Sequence, residues 1–530
     1  MSRILIKNGL LIDGTGKPGF VGNLVIEGDL IASVGADESG EFDKIIDAEG
    51  LAVSPGFIDT HSHSDLQLLI RPSIEHKLLQ GVTTEIIGQD GISMSPLPAE
   101  MITEWRKVNS GFNGDDDSID WNFRNTQGYF KLLENAGIGL NAAYLVPHGN
   151  IRMEVLGLGD AKPTCQELKQ IKNIALKEMK YGAYGMSTGL IYPPCVYSTG
   201  EELMGLCRAV AALDGVFAFH QRSEADFILD SMKELIRLGR ETGVKIHFSH
   251  FKVCGRKNWS KIDAALELLD KAASEGIRVS MDQYPYAAGS TTLSALLPPW
   301  IQSGGIGSML SRLERKDIRE SLIRDIESGI DGWDNFIDFA GFDQIFITGL
   351  KTEKNLDIIG KSIEEISVLK GKSQYEVIFD LLCEEEGKVN IVDFYGNDTH
   401  IEKILKSPFQ NVCTDGFFTG QPHPRLYGTY PRILGRFVRE RKVISLEAAV
   451  RKMTSKAAET FEFKKRGRLE KGYYADITVF NPDTVKDMGD FNTPQLKPIG
   501  IDYVIVNGEI AVNKGIYTQK TAGRVLQKAF

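Results

Sequence analysis

Two rhythms of apolar and polar positions alternate along the chain and divide it into regions. Residues 1–55 set short apolar runs, Ile4–Ile6, Leu10–Ile12, Leu24–Ile26 and Leu30–Val34, between Asn-Gly, Asp-Gly and Gly-Asp pairs. Such pairs favour tight two-residue turns, so this stretch predicts a small β-domain built of hairpins. The same style returns in Ala475–Phe480, in Tyr503–Val506 and, after Asn507-Gly508, in Ile510–Val512. We read the two ends, 1–55 and 465–530, as one β-sandwich, because chain termini often lie close together.

The middle, 56–464, changes period. Val216–His220 is a short apolar run, and Ile228, Met232, Leu235 and Ile236 then mark one helical face that stops near Gly243. Val244–His250 reads as the next strand. Ile262, Ala265, Leu266 and Leu269 mark a second helix, stopped by Gly276, and Ile277–Asp282 reads as a third strand. A β-α-β-α-β unit implies a parallel sheet with right-handed crossovers. A doubly wound sheet and a barrel both satisfy that pattern.

The polar residues narrow the choice. His220, His250 and Asp282 each end an apolar strand; His61 and His63 follow Val53–Ile58, and Asp415 follows Asn411–Thr414. Residues at the C-terminal ends of several strands converge in barrel active sites, so we predict a TIM-like (β/α)8 barrel. From 300 to 400 no β-α repeat holds, and helix formers and charge dominate, as in Leu313–Ser328 and Ile363–Leu382. We expect an inserted helical cap over the barrel mouth, acting as a lid.

Composition adds exclusions. Apolar residues at 42% and charged residues at 25% of 530 give an ordinary globular balance with ample core material. A net charge of −10 argues against binding a phosphate backbone, so no nucleic-acid partner is expected. No uncharged apolar run reaches ~18 residues, so no membrane span is expected. Charge and glycine break the first residues before a signal-peptide core forms. The six cysteines form no C-x-x-C pair and read as reduced thiols, which points to the cytoplasm. No signal for an oligomeric state is present.

The chemistry concentrates in a few strings. In a strand, His61 and His63 face one side and can reach one metal ion. Their context is Pro55-Gly56-Phe57-Ile58-Asp59-Thr60-His61-Ser62-His63-Ser64-Asp65. This string resembles the metal-dependent amidohydrolase superfamily. Ser187–Pro194, His220–Glu224, Ser249–Lys252, Tyr284–Thr291, Thr414–Gly416, His423–Gly428 and Gly467–Asp476 narrow the likeness. Together they resemble the N-acyl-D-amino acid deacylase (D-aminoacylase) family, over essentially the whole chain and in the family's order.

The resemblance implies a set of roles. His220 and His250 match tightly bound zinc ligands, and His61 and His63 match a second, often weaker metal position. Asp415 matches the catalytic carboxylate. Lys252, Tyr284, Ser290 and Arg425 sit in motifs that supply contacts to the substrate carboxylate, with Tyr192 near the same pocket. Tyr286 competes with Tyr284 for its role. The family writes Gly-Asn-Cys-Gly where this chain has Gly88-Gln89-Asp90-Gly91, so Asp90 takes the place of a cysteine ligand. Carboxylate also binds zinc, as a harder donor than thiolate. We therefore expect Asp90 to ligate or bridge one or two Zn²⁺, with Mn²⁺ or Co²⁺ as alternatives. Strand four, expected near Ala183–Thr188, holds no lysine to be carboxylated.

Other candidates receive plainer readings. His76 is expected to be solvated, and His247 to face away from His250 into the core or toward a helix. His423 is expected to be a loop hydrogen-bonder near Arg425. His148 ends a third strand, where it either lines the pocket or plays a structural role. Cys254 and Cys413 are expected to be buried. No G-x-S-x-G, G-x-x-x-x-G-K-[ST] or G-x-G-x-x-G is present, so neither a serine-hydrolase elbow nor nucleotide binding is indicated. The expected substrate is a small molecule, and the expected reaction is hydrolysis of N-acyl-D-amino acids. Cyclic-amide hydrolysis of the dihydroorotase or hydantoinase type is the alternative.

Overall fold

The computed structural model describes residues 2–36, 40–418 and 420–530. Its centre is an eight-stranded parallel sheet in sequential order. Strands one to four are Phe57–Asp59, Val82–Ile87, Asn141–Pro147 and Gly185–Gly189. Strands five to eight are Val216–His220, Lys245–Phe248, Val279–Gln283 and Gln410–Val412. Hydrogen bonds from the Thr60 amide to the Val412 carbonyl (3.4 Å) and from the Asp415 amide to the His61 carbonyl (2.9 Å) join the eighth strand to the first. This is the expected (β/α)8 barrel.

Side-chain alternation explains which residues meet at its axis. In strand five, Phe217 and Phe219 face outward and pack, fully buried, into the core shared with the surrounding helices. Val216 and Ala218 face inward, onto Ala457, Ala458, Phe461 and Phe463, which fill the floor of the barrel. His220 continues the inward series at the strand's C-terminal end. The two helices expected after strands five and six are Ile228–Thr242 and Ile262–Ser274. The first stops at Gly243 in the left-handed region, φ 73°, where a side chain would be strained.

The chain ends share a nine-stranded sheet. Ala52–Pro55 lies between Arg3–Leu11 and Ile477–Phe480, so the two termini meet at that strand. Three details differ from the sequence reading. Asn8-Gly9 forms a bulge inside the single strand Arg3–Leu11 instead of a hairpin turn; Asn8 takes φ 62° and the register shifts there. The run Val53–Ile58 is two strands, split at Gly56, where the chain leaves the terminal sheet for the barrel. A Cβ at Gly56 would come within 2.2 Å of the Thr83 hydroxyl, so only glycine fits the crossing. Finally, residues 521–530 run beside the barrel, where Val525 pairs with Ala142.

The insertion begins before residue 300 and is only partly helical. Ala288–Thr292 and Ile345–Gly349 flank Asn390–Phe394 in an antiparallel sheet of three strands. With the helices between them they enclose an apolar core of their own, around Leu293, Ile345, Ile363, Phe379 and Ile391. The strand Gly289-Ser290-Thr291-Thr292 lacks the apolar alternation that marks a strand in sequence, so it was not visible there. No helix among the described residues is long and apolar enough to cross a membrane.

Candidate active site

Three barrel strands end in turns that push a polar residue into the left-handed region: Asp90 (φ 53°), His250 (φ 36°) and Asp415 (φ 48°). Such conformations cost about 1–3 kcal/mol each for residues with a Cβ and persist where surrounding bonds hold them. Asp282 Oδ1 accepts from the His250 amide, and the His61 carbonyl accepts from the Asp415 amide. The neighbouring Gly91 amide donates to the Ser187 hydroxyl at 3.0 Å. Each turn therefore aims its carboxylate or imidazole at the barrel axis.

There the donors form two groups that share one member. His61, His63, Asp90 and Asp415 place ligand atoms within 4.8 Å of one another, and so do Asp90, His220 and His250. Asp90 Oδ2 lies 3.6 Å from Nε2 of both His61 and His63, and its Oδ1 lies 3.5 Å from His250 Nε2. Asp415 Oδ1 is 3.3 Å from His63 Nε2 and 3.6 Å from His61 Nε2. The Nε2 atoms of His61 and His63 face each other at 3.3 Å. Asp90 Oδ1 and both His220 ring nitrogens are buried and have no hydrogen-bond partner. Orphaned imidazole and carboxylate atoms converging this closely fit a zinc-type cation.

The electrostatics follow from that crowding. Burial opposes charge on His63, but Asp415 and Asp90 raise it to about 9. Burial and Lys252 oppose charge on His250, and Glu224, Asp90 and Asp415 outweigh them, raising it to about 10. His220, with burial dominant, is held down to about 3. Burial opposes ionisation of Asp415, yet Arg425 and His250 hold its carboxyl far below the usual range. Asp90 is likewise lowered despite burial, by His61 and His250.

The remaining sequence candidates gather beside these donors. Tyr192, Lys252, Tyr284, Ser290 and Arg425 line one cleft with Asp90, His220, His250 and Asp415. Arg425 NH1 pairs with Asp415 Oδ2 at 2.9 Å, and its guanidinium lies 4.4 Å over the Tyr284 ring. Tyr192 donates to or accepts from the Thr291 hydroxyl at 2.9 Å. Tyr286 lies outside the cleft, with Arg432 over its ring, which separates it from Tyr284.

Several histidines differ from expectation or resolve an open choice. His76 is not solvated: its Nε2 is buried and its ring packs against Phe418 and Tyr427. His247 is in the core, as expected, with its ring 5.2 Å from that of Phe461 on the helix Ser455–Phe461. Its strand ends at Phe248, so alternation does not extend to His250, and His247 points inward to bond Asp282 at 2.8 Å. His148 lies outside the cleft, bonded to Thr188 and Glu202. His423 accepts from the Arg425 amide, as read from the sequence. Cys254 and Cys413 are buried.

Sequence reasoning missed three groups. Glu224 bonds Lys252 (2.7 Å) and approaches His250 Nδ1 (3.2 Å); its place four residues after His220 was the available signal. Lys77 bonds Asp59, Ser62 and Thr414, tying the His61–His63 segment to the Asp415 turn. Asp393 and Tyr395 enter the cleft from the insertion, and nothing in their local sequence marks them.

Comparison with known proteins bears on this geometry. The model of the amidohydrolase family matches residues 44–296 and 359–512. The D-aminoacylase of Alcaligenes xylosoxydans xylosoxydans is 33% identical, over 99% of this chain and 97% of its own. The N-acyl-D-glutamate deacylase of the same organism is 32% identical, over 99% of this chain and 96% of its own. The crystal structure of the N-acyl-D-glutamate deacylase of Bordetella bronchiseptica, complexed with zinc and a phosphonate inhibitor, superposes with a TM-score of 0.84. It is 30% identical and covers 99% of each chain.

Proposed function

The chain belongs to the amidohydrolase family, and from that premise we propose that it is a metal-dependent hydrolase of N-acyl-D-amino acids, releasing a carboxylate and a free D-amino acid. The observation that carries the reading is the sharing of Asp90 between two groups of donors, beside a cleft that holds both Lys252 and Arg425. His61, His63, Asp90, His220 and His250 would hold one or two Zn²⁺. Bound there, zinc supplies Lewis acidity toward the scissile carbonyl and toward a water molecule. The hard carboxylate of Asp90 also admits Mn²⁺ or Co²⁺.

The chain's own residues supply the rest. Lys252 and Arg425 grip the substrate's α-carboxylate, Arg through its planar fork, with Tyr284 and Ser290 as hydrogen-bond donors and Tyr192 beside them. A fixed carboxylate leaves one stereoisomer able to present its acyl carbonyl to the donors. Asp415 accepts the proton of the attacking water at a carboxylate oxygen and passes it to the leaving nitrogen as the C–N bond breaks. Its strong pairing with Arg425 makes it a weak base before substrate arrives. The substrate carboxylate competes for that guanidinium, so substrate binding itself raises the basicity of Asp415. Free cysteines fit a cytoplasmic setting.

The test is turnover of N-acetyl-D-methionine, its L isomer, hydantoin and dihydroorotate by zinc-loaded protein. We expect D over L and linear over cyclic substrates. Asp415→Asn is expected to lower kcat by about 10²–10⁴-fold. Faster turnover of the cyclic amides would replace this reading with the cyclic one.

A further inference from the structure

Beside the groups this chemistry uses, the cleft holds three further carboxylates, those of Glu224, Asp334 and Asp393. Asp393 lies on the insertion strand Asn390–Phe394, directly opposite Gly289 and one position from Ser290 on the neighbouring strand. Gly289 has no side chain, and Asp393 fills the space: its Oδ1 lies 3.0 Å from where a Cβ of residue 289 would stand. The residue is 2% exposed, and its carboxylate faces the cleft shared with Lys252, Tyr284, Ser290 and Arg425.

Every other charged side chain lining the cleft has a partner. Glu224 holds Lys252 at 2.7 Å, and Asp415 holds Arg425 at 2.9 Å. Asp334 accepts from the Ser223 hydroxyl and the Glu224 amide, both at 2.6 Å. Asp90 lies among the histidines. The Tyr284 and Tyr395 hydroxyls, in the same cleft, are bonded to each other at 2.6 Å. Among the described residues no side chain donates to the Asp393 carboxylate and no cation pairs with it. Its own backbone amide bonds it, and a buried carboxylate without a side-chain donor or counter-ion costs free energy unless something that enters the cleft completes its bonds.

Resting on the reading above, we propose that Asp393 selects the substrate side chain: the cleft takes N-acyl-D-amino acids whose side chain ends in a cation or a hydrogen-bond donor and rejects those ending in a carboxylate. A donor or cation completes the bonds of Asp393. A second carboxylate would be buried beside an anion, with Lys252 and Arg425 already engaged at the α-carboxylate. Burial pushes Asp393 up to about 6, with Lys252 and Arg425 holding it down, so it is the anion at pH 8.

The experiment measures kcat/KM at pH 8 for the N-acetyl derivatives of D-lysine, D-glutamine, D-glutamate and D-methionine. Wild type, Asp393→Asn and Asp393→Ser are compared, all zinc-loaded. In the wild type, D-lysine and D-glutamine are expected to exceed D-glutamate at least tenfold. Both variants are expected to raise D-glutamate at least tenfold and lower D-lysine, with D-methionine within threefold of wild type. Wild-type D-glutamate matching D-glutamine, or an unchanged D-lysine to D-glutamate ratio in the variants, would overturn the proposal. Loss of D-methionine turnover in both variants would also overturn it, in favour of a structural role. If wild type turns over none of the four, the N-acyl-D-amino acid reading itself fails and this proposal falls with it. Turnover of D-methionine with unchanged selectivity sinks Asp393 alone.

Discussion

Asp90 directs Oδ2 toward His61 and His63 and Oδ1 toward His250, so one side chain spans both groups of donors. Removing it takes an oxygen from each. We expect Asp90→Ala to bind less zinc per subunit, read by elemental analysis, and to lose at least a hundredfold in kcat. Asp90→Cys, which restores the family's donor, is expected to retain metal at one group. Full zinc content in Asp90→Ala would remove Asp90 from the ligand set. The identity of this residue was legible because it departs from a recognisable string. Its left-handed backbone was not, since only glycine announces positive φ, and here Asp90, His250 and Asp415 adopt it without glycine. The bonds that hold them there come from residues 32 and more positions away, such as Asp282 for His250.

At the level of elements, the strands that carry the converging histidines and carboxylates were readable where alternation was strict. Val216–His220 is found with the bounds read from sequence. The insertion's sheet was not readable, because its strand over Gly289–Thr292 is small and polar, shaped by the cleft it lines. A second element-level feature lies beside the turn of Asp90, where the Gly149 amide donates to the Gly91 carbonyl at 2.8 Å. His148 begins the helix His148–Leu156, reaches Thr188 on strand four and Glu202 on the next helix, and Arg152 pairs with the same Glu202. Burial alone would keep His148 neutral, but Cys195 and Glu202 raise it from 6.5 to about 9. A histidine whose folded value is raised stabilises the fold fully below 6.5, and that contribution is lost as pH climbs through about 9. The melting temperature of the wild type is therefore expected to fall more steeply from pH 7 to 10 than that of His148→Gln. Parallel slopes for the two proteins would show that His148 carries no such linkage.

Across the whole molecule, one buried carboxylate is a junction between the terminal sheet and the barrel. The Asp476 side chain pairs with Arg466, and it accepts from Asn141 of barrel strand three (3.2 Å) and from the Asn507 amide (2.9 Å). Its carbonyl accepts from Gly56, the residue at which the chain crosses between sheets, at 2.7 Å. Arg466 is 6% exposed, so Asp476→Ala leaves a buried cation without its counter-ion. Breaking a buried pair from one side costs about 3–5 kcal/mol. Spread over an unfolding entropy of roughly 1.1 kcal/mol/K for a chain of this length, that lowers Tm by about 3–5 °C. Zinc content and kcat at 25 °C are expected to stay at wild-type values, because the junction lies at the end of the barrel opposite the cleft. Replacing both partners, Arg466→Met with Asp476→Leu, removes the buried charges together and is expected to recover most of the lost Tm. If the double variant melts no higher than Asp476→Ala, the cost lies in the bonds to Asn141 and Asn507. The carboxylate then acts as a hydrogen-bond hub joining the two parts of the molecule, and the ion pair is incidental.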